Sequence, residues 1–129
     1  MLLAIDVGNT QTVIGLYDGE RLAEHWRIAT ERHRTGDELG ALLARFVDLE
    51  ELDGVVVSTT VPQLVREYTR FVERYVEAPL LVVGPGTRTG IAIRYDDPRE
   101  VGPDRIVNAL AARHKHGAPC IVVDFGTST

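Results

Sequence analysis

Lysine is almost absent from this chain: Lys115 stands alone beside thirteen arginines in 129 residues. No Gly-x-x-x-x-Gly-Lys-Ser/Thr run exists, so a P-loop lysine is excluded and any nucleotide phosphate must be held another way. Cysteine occurs once, as Cys120. That rules out an internal disulfide and suits a reducing cytosol. One cysteine and four scattered histidines give no zinc-ligand spacing. No unbroken apolar run reaches the roughly 18 residues of a membrane-spanning helix. The opening Met1-Leu2-Leu3-Ala4-Ile5-Asp6 lacks the basic region of a secretory signal and reads as a buried strand. A cytoplasmic protein with no membrane partner is the expectation. Positive charge is not in excess either. The net charge of −5 argues against sequence-independent binding to nucleic acid.

What is present is the composition of one globular domain, 44% hydrophobic and 26% charged. Leu2–Val7, Gln11–Tyr17 and Arg21–Thr30 read as three meandering strands, with Asp18-Gly19 as a hairpin signal between the last two. Leu22, Trp26 and Ile28 are expected on one face of the third. Thr35-Gly36-Asp37-Glu38 opens a helix whose apolar stripe runs from Leu39 to Val47. Gly54–Ser58 is a buried strand, Val61–Val76 a second helix with Pro62 in its first turn, and Leu80–Val83 another buried strand. Ile91–Arg94 is a candidate edge strand. Pro103–His114 is a third helix, and Cys120–Val123 a last buried strand, with Cys120 a structural thiol. This order predicts an α/β fold, a mixed sheet with helices on both faces.

An internal repeat carries the functional reading. Leu3-Ala4-Ile5-Asp6-Val7-Gly8-Asn9-Thr10 resembles Ile121-Val122-Val123-Asp124-Phe125-Gly126-Thr127-Ser128. Each is a buried strand, then Asp-x-Gly, then small polar residues. Two domains that begin alike are implied, with residues 1–117 the first and 118–129 the opening strand and turn of a truncated second. Such a fragment should expose apolar surface that the second domain would cover. In an Asp-x-Gly turn, glycine allows close approach of the backbone, and successive N–H groups form an anion-binding nest. Thr10 and Gln11 add hydrogen-bonding groups for phosphate oxygens. The carboxylate suits hydrated Mg²⁺, which takes one or two carboxylates plus phosphates and water. A single copy would pass for a hairpin turn; two copies favour phosphate binding.

The second constellation is Gly102-Pro103-Asp104-Arg105-Ile106-Val107-Asn108. An acid in a first helical turn is already explained by the helix dipole, and Arg105 could pair with Glu100 or Asp97. The alternative is chemical: Asp104 as a general base beside a carboxylate-binding fork, Arg105. Spacing alone leaves both open. Tyr95, in a polar loop just upstream, is equally divided between surface packing and substrate contact.

Together, Asp6–Thr10, Gly90-Ile91, the block from Asp97-Pro98 to Asn108, and Val122–Thr127 resemble the type III pantothenate kinases, of the acetate and sugar kinase, Hsp70 and actin superfamily. The Gly-x-Asp-Arg-x-x-Asn block is the most specific match. Pro103 stands where the family commonly has alanine, a change a helix start tolerates. The resemblance implies a duplicated RNase H-like, actin-like ATPase fold, homodimers, and ATP-dependent phosphorylation of the primary hydroxyl of pantothenate in coenzyme A synthesis. It implies an ATP phosphate loop at Asp6, Val7, Gly8, Asn9, Thr10, Gln11, Thr12 and Val13, with a further contact at Thr127. Asp104 corresponds to the base. Tyr95, Gly102, Pro103, Asp104 and Arg105 correspond to the substrate surface. Asp124 corresponds to the ligand of a monovalent cation, K⁺ or NH₄⁺, with Asp6 holding Mg²⁺ through water. The missing half implies that the fragment alone is inactive. A nucleotide-binding regulatory protein on this fold, or a kinase for another small hydroxy acid, are the competing readings.

Overall fold

The computed structural model describes residues 1–127. Five strands form one mixed sheet: β1 (Leu2–Val7), β2 (Gln11–Asp18), β3 (Arg21–Ala29), β4 (Gly54–Thr59) and β5 (Leu80–Val82), in the order β3-β2-β1-β4-β5. The first three form an antiparallel meander, and β4 and β5 add in parallel. The parallel links need crossovers, which α1 (Gly36–Leu43) and α2 (Pro62–Tyr75) provide. A third helix, α3 (Pro103–His116), follows a long stretch without strands.

Local chemistry explains these elements. Thr35 and Glu38 close a capping box at the start of α1, satisfying two otherwise orphaned N–H groups. The β2–β3 hairpin turns at Gly19, whose φ of 59° is followed by an ordinary negative φ at Glu20, the pattern of a type II′ turn. Asp18 is thus the last paired residue, opposite Arg21. Pro103 occupies the first turn of α3, four basic residues (Arg113–His116) fill its last, and Gly117 ends it at φ 80°.

One face of the sheet carries the core. Leu3, Ile5 and Val7 of β1, Ile14 of β2, and Val55 and Val57 of β4 pack against Leu39 and Leu43 of α1 and Leu64, Tyr68, Phe71 and Val72 of α2. Each such side chain contributes about 1.5–3 kcal/mol on burial. Burial raises the Tyr68 phenol to about 12, against the opposing pull of the Thr12 hydroxyl and the Arg34 charge. The opposite face, with Ala4, Asp6, Val13, Gly15 and Ser58, is partly covered by α3 through Val107.

Four expectations are corrected. Cys120–Val123 is not a buried strand: it pairs with no strand of the described sheet, Ile121 is 93% exposed, and Cys120 is exposed too. A lone strand with neither neighbour nor cover has nothing to offset its ordering cost. Phe125, 85% exposed, continues the apolar surface. Ile91–Arg94 forms no strand. β5 is an edge strand, with Leu81 half exposed. Leu22 does not share a face with Trp26: the register shifts between Leu16 and Tyr17, leaving Ala23 unpaired. This bulge turns Leu22 over to Gly15, while Trp26 stacks on Phe46 on the core side.

Candidate functional site

The C-terminal ends of β1 and β4, the start of β2, and the N-terminus of α3 surround a cleft of about 800 Å³, a volume suited to a nucleotide-sized ligand. Ligands of parallel-type α/β sheets bind beyond the carboxyl ends of the strands, and this cleft lies there.

The first wall is the turn after β1. Gly8 donates its N–H to the Gln11 carbonyl at 3.0 Å, and a Cβ on Gly8 would meet that same carbonyl oxygen at 2.9 Å. Glycine is required here by close approach. Among the described residues, no backbone carbonyl accepts from the Asn9 or Thr10 N–H, so both are available to an anion. Asp6, Gly8, Asn9, Thr10, Gln11 and Val13 line the cleft. Val7 and Thr12 of the same segment do not. The pleat turns them into the core, where the Thr12 hydroxyl bonds that of Thr30 at 2.8 Å.

The second wall is the start of α3, where Gly102, Asp104 and Arg105 face the cleft. A Cβ on Gly102 would collide with the Asp104 carboxylate, so Gly102 leaves room for that carboxylate to fold back beside the cap. Pro103 sets the first turn without lining the cleft. Arg105 pairs with neither Asp97 nor Glu100 among the described residues. Asp97 is taken by Arg99 at 2.9 Å, which holds its carboxyl below the usual range. The guanidinium of Arg105 is exposed to the cleft. Tyr95 is exposed and stands outside the lining.

The third wall is the second Asp-x-Gly turn, Asp124 to Thr127. The Thr127 and Thr10 hydroxyls share a hydrogen bond of 2.6 Å, and Asn108 of α3 donates to Asp124 at 3.0 Å. Both repeats therefore meet across one cleft. Ser128, the last residue of the second copy, lies outside the described residues.

Electrostatics single out Asp6. Partial burial raises its carboxyl above the ordinary aspartate value of 3.8. The Ser58 hydroxyl opposes this, and the negative charges of Asp104 and Asp124 add to it. Ser58 is its register partner on β4, and the Ser58 Oγ completes no hydrogen bond of ordinary geometry although buried. Four carboxylates, those of Asp6, Glu100, Asp104 and Asp124, line one cleft and are a demand for positive charge. No cluster of three His, Cys, Asp or Glu side chains forms a metal cage among the described residues.

Besides Glu100, which the sequence offered only as an ion-pair partner for Arg105, two lining residues escape sequence reading. Arg27 of β3 lies opposite Val13 and donates to the Gln11 side chain at 2.8 Å. An unbulged hairpin closed at Asp18 and Arg21 would place Trp26 opposite Val13, so the bulge hid Arg27. Thr60, just past β4, lines the cleft while its N–H and hydroxyl bond the Val7 carbonyl. Its only signal was the end of a buried strand beside β1.

No helix among the described residues is long and apolar enough to cross a membrane. Residues 2–129 match the family model described as Type III pantothenate kinase. Similar proteins carrying that name are 52% identical in Frankia alni, 54% in Acidothermus cellulolyticus and 48% in Brevibacillus brevis. Each match covers the whole of this chain and 52% of the relative, so the chain spans about half the length of the curated relatives it matches. A match over nearly every residue, with both Asp-x-Gly turns and the Asp104 block on one cleft, establishes that the chain belongs to the type III pantothenate kinase family.

Proposed function

We propose that the protein, at the length of its relatives, transfers the γ-phosphoryl group of ATP to the primary hydroxyl of pantothenate, the first step of coenzyme A biosynthesis. The observation that carries this reading is the convergence of Asp104 with both Asp-x-Gly turns on one cleft, in a chain of this family. Phosphoryl transfer is chiefly positioning and charge neutralisation, and the cleft offers groups for each.

Asp104 is the base: its carboxylate accepts the proton of the substrate hydroxyl as that oxygen attacks. Arg105 presents a planar fork to the carboxylate end of pantothenate. Gly102 and Pro103 hold this corner of the helix in shape; Tyr95, outside the cleft lining, is assigned to the substrate surface by the family resemblance alone. The N–H groups of Asn9 and Thr10, with the Thr10 and Gln11 side chains, hold phosphate oxygens, and Thr127 contacts them from the other side. Val7, Thr12 and Val13 brace the loop from the sheet. Asp6, through water, would hold Mg²⁺ and Asp124 a monovalent cation, K⁺ or NH₄⁺. Such cations, when bound, neutralise charge on the phosphoryl group in transit. We read residues 1–117 as the first domain and 118–129 as the beginning of a second, in a cytoplasmic homodimer.

Replacing Asp104 tests the assignment. In the protein at its relatives' length, Asp104→Asn is expected to lower kcat with pantothenate by about 10²–10⁴-fold, with binding of ATP retained. An unchanged kcat removes Asp104 from the mechanism.

A further inference from the structure

Asp104 and Asn108 are four residues apart on α3, hence one above the other on the same helix face. Asp104 lines the cleft. Asn108 reaches past it to the second Asp-x-Gly turn, its side-chain amide donating to Asp124 Oδ2 at 3.0 Å. The segment that carries Asp124 has no place in the described sheet and is exposed along residues 120–127. Among the described residues, its side chains reach the rest of the fold through two hydrogen bonds: this one, and that between Thr127 and Thr10.

We infer that Asn108 is a positioning residue that fixes the Asp124 carboxylate at a set place relative to Asp104. The residue type suits the task. An amide donates one hydrogen bond to a carboxylate and leaves its charge intact. A lysine or arginine in the same place would neutralise that charge, and an acid would repel it. Asp124 has no ion-pair partner among the described residues, so its charge remains available to a cation in the cleft. One helix thereby sets both the acid that faces the substrate hydroxyl and the acid on the nucleotide side. Among the described residues, no other side-chain hydrogen bond joins α3 to the segment of Asp124. The inference rests on the kinase reading for its catalytic meaning, whereas the contact itself does not.

Two measurements separate these parts. The first uses the 129-residue chain and nuclear magnetic resonance of side-chain amides. Asp124→Ala is expected to shift the Asn108 Nδ2 resonances, and the Thr10→Ala change to leave them in place. Asn108 resonances indifferent to Asp124→Ala would overturn the inference. The second uses the protein at its relatives' length. Loss of a group that orients a ligand's carboxylate costs about 10–100-fold in affinity or activity. Asn108→Ala is therefore expected to raise the ATP KM and the half-activating concentration of K⁺ by about that factor. The pantothenate KM and the melting temperature are expected to hold, and Asn108→Asp to be worse than Asn108→Ala. Lower melting temperature with an unshifted ATP KM and K⁺ requirement would mark a merely structural side chain and also overturn the inference. Should the unaltered protein turn over no pantothenate, the kinase reading fails. The resonance experiment, with direct titration of ATP and K⁺ into the Asn108→Ala protein, then decides the positioning role by the same outcomes.

Discussion

Asp6 stands where structural cost and functional use oppose each other. Its folded-state pKa is raised, first by partial burial and then by Asp104 and Asp124. The fold therefore prefers its protonated form. The linked contribution to stability is fully present below the ordinary value of 3.8 and is lost as pH rises through the folded value, so the ionised carboxylate weakens the fold at neutral pH. Asp6→Asn removes that titration. Thermal melts are expected to show the Asn variant more stable than the wild type at neutral pH, the two converging in acid. A variant less stable at neutral pH would show that Asp6 is a structural acid. Much at this scale was legible in the sequence. Gly8 and both Asp-x-Gly turns announced themselves by residue type and repetition, whereas spacing left the role of Asp104 open and only the family resemblance pointed to it. Arg27 did not announce itself, because its place depends on one unpaired residue, Ala23, that no local pattern betrays.

The elements divide by how their faces are covered. β1, β4 and α2 were readable because each presents an apolar set of the right period to one core. Cys120–Val123 has the same apolar pattern and pairs with no strand among the described residues. Pattern states what a segment could bury, and a neighbour decides whether it does. The α1–α2 contact shows how tightly such neighbours fit. A Cβ on Gly36 would lie 2.9 Å from the Glu67 carbonyl oxygen and 3.0 Å from the Phe71 nitrogen, both backbone atoms of α2. One on Gly40 would meet the ring of Tyr75, a partly exposed side chain that can move outward more cheaply than backbone, at the expense of its hydroxyl's bond to Asp37. Gly36→Ala is expected to cost about 1–3 kcal/mol, as overpacking does, and Gly40→Ala clearly less. Urea denaturation of both variants checks the order, and equal costs would contradict the packing described.

At the scale of the whole molecule, three walls from distant parts of the chain enclose one cleft. Two of them, residues 6–13 and 124–127, are copies of one motif, and the third is the start of α3. The sheet supplies rigidity on one side, with α1 and α2 behind it, and leaves polar groups at the strand ends on the other. Family resemblance named this arrangement from the sequence. Its geometry, including the hydrogen bonds from Thr10 to Thr127 and from Asn108 to Asp124, needed the fold, because each joins residues whose separation in sequence carries no periodic signal. The central claim is that this cleft belongs to a pantothenate kinase. Its most direct test is ADP release by the protein at its relatives' length, with ATP, Mg²⁺ and K⁺, measured with and without pantothenate. Release that requires pantothenate is the expected result. A folded protein that binds ATP yet releases no more ADP when pantothenate is added would contradict the claim.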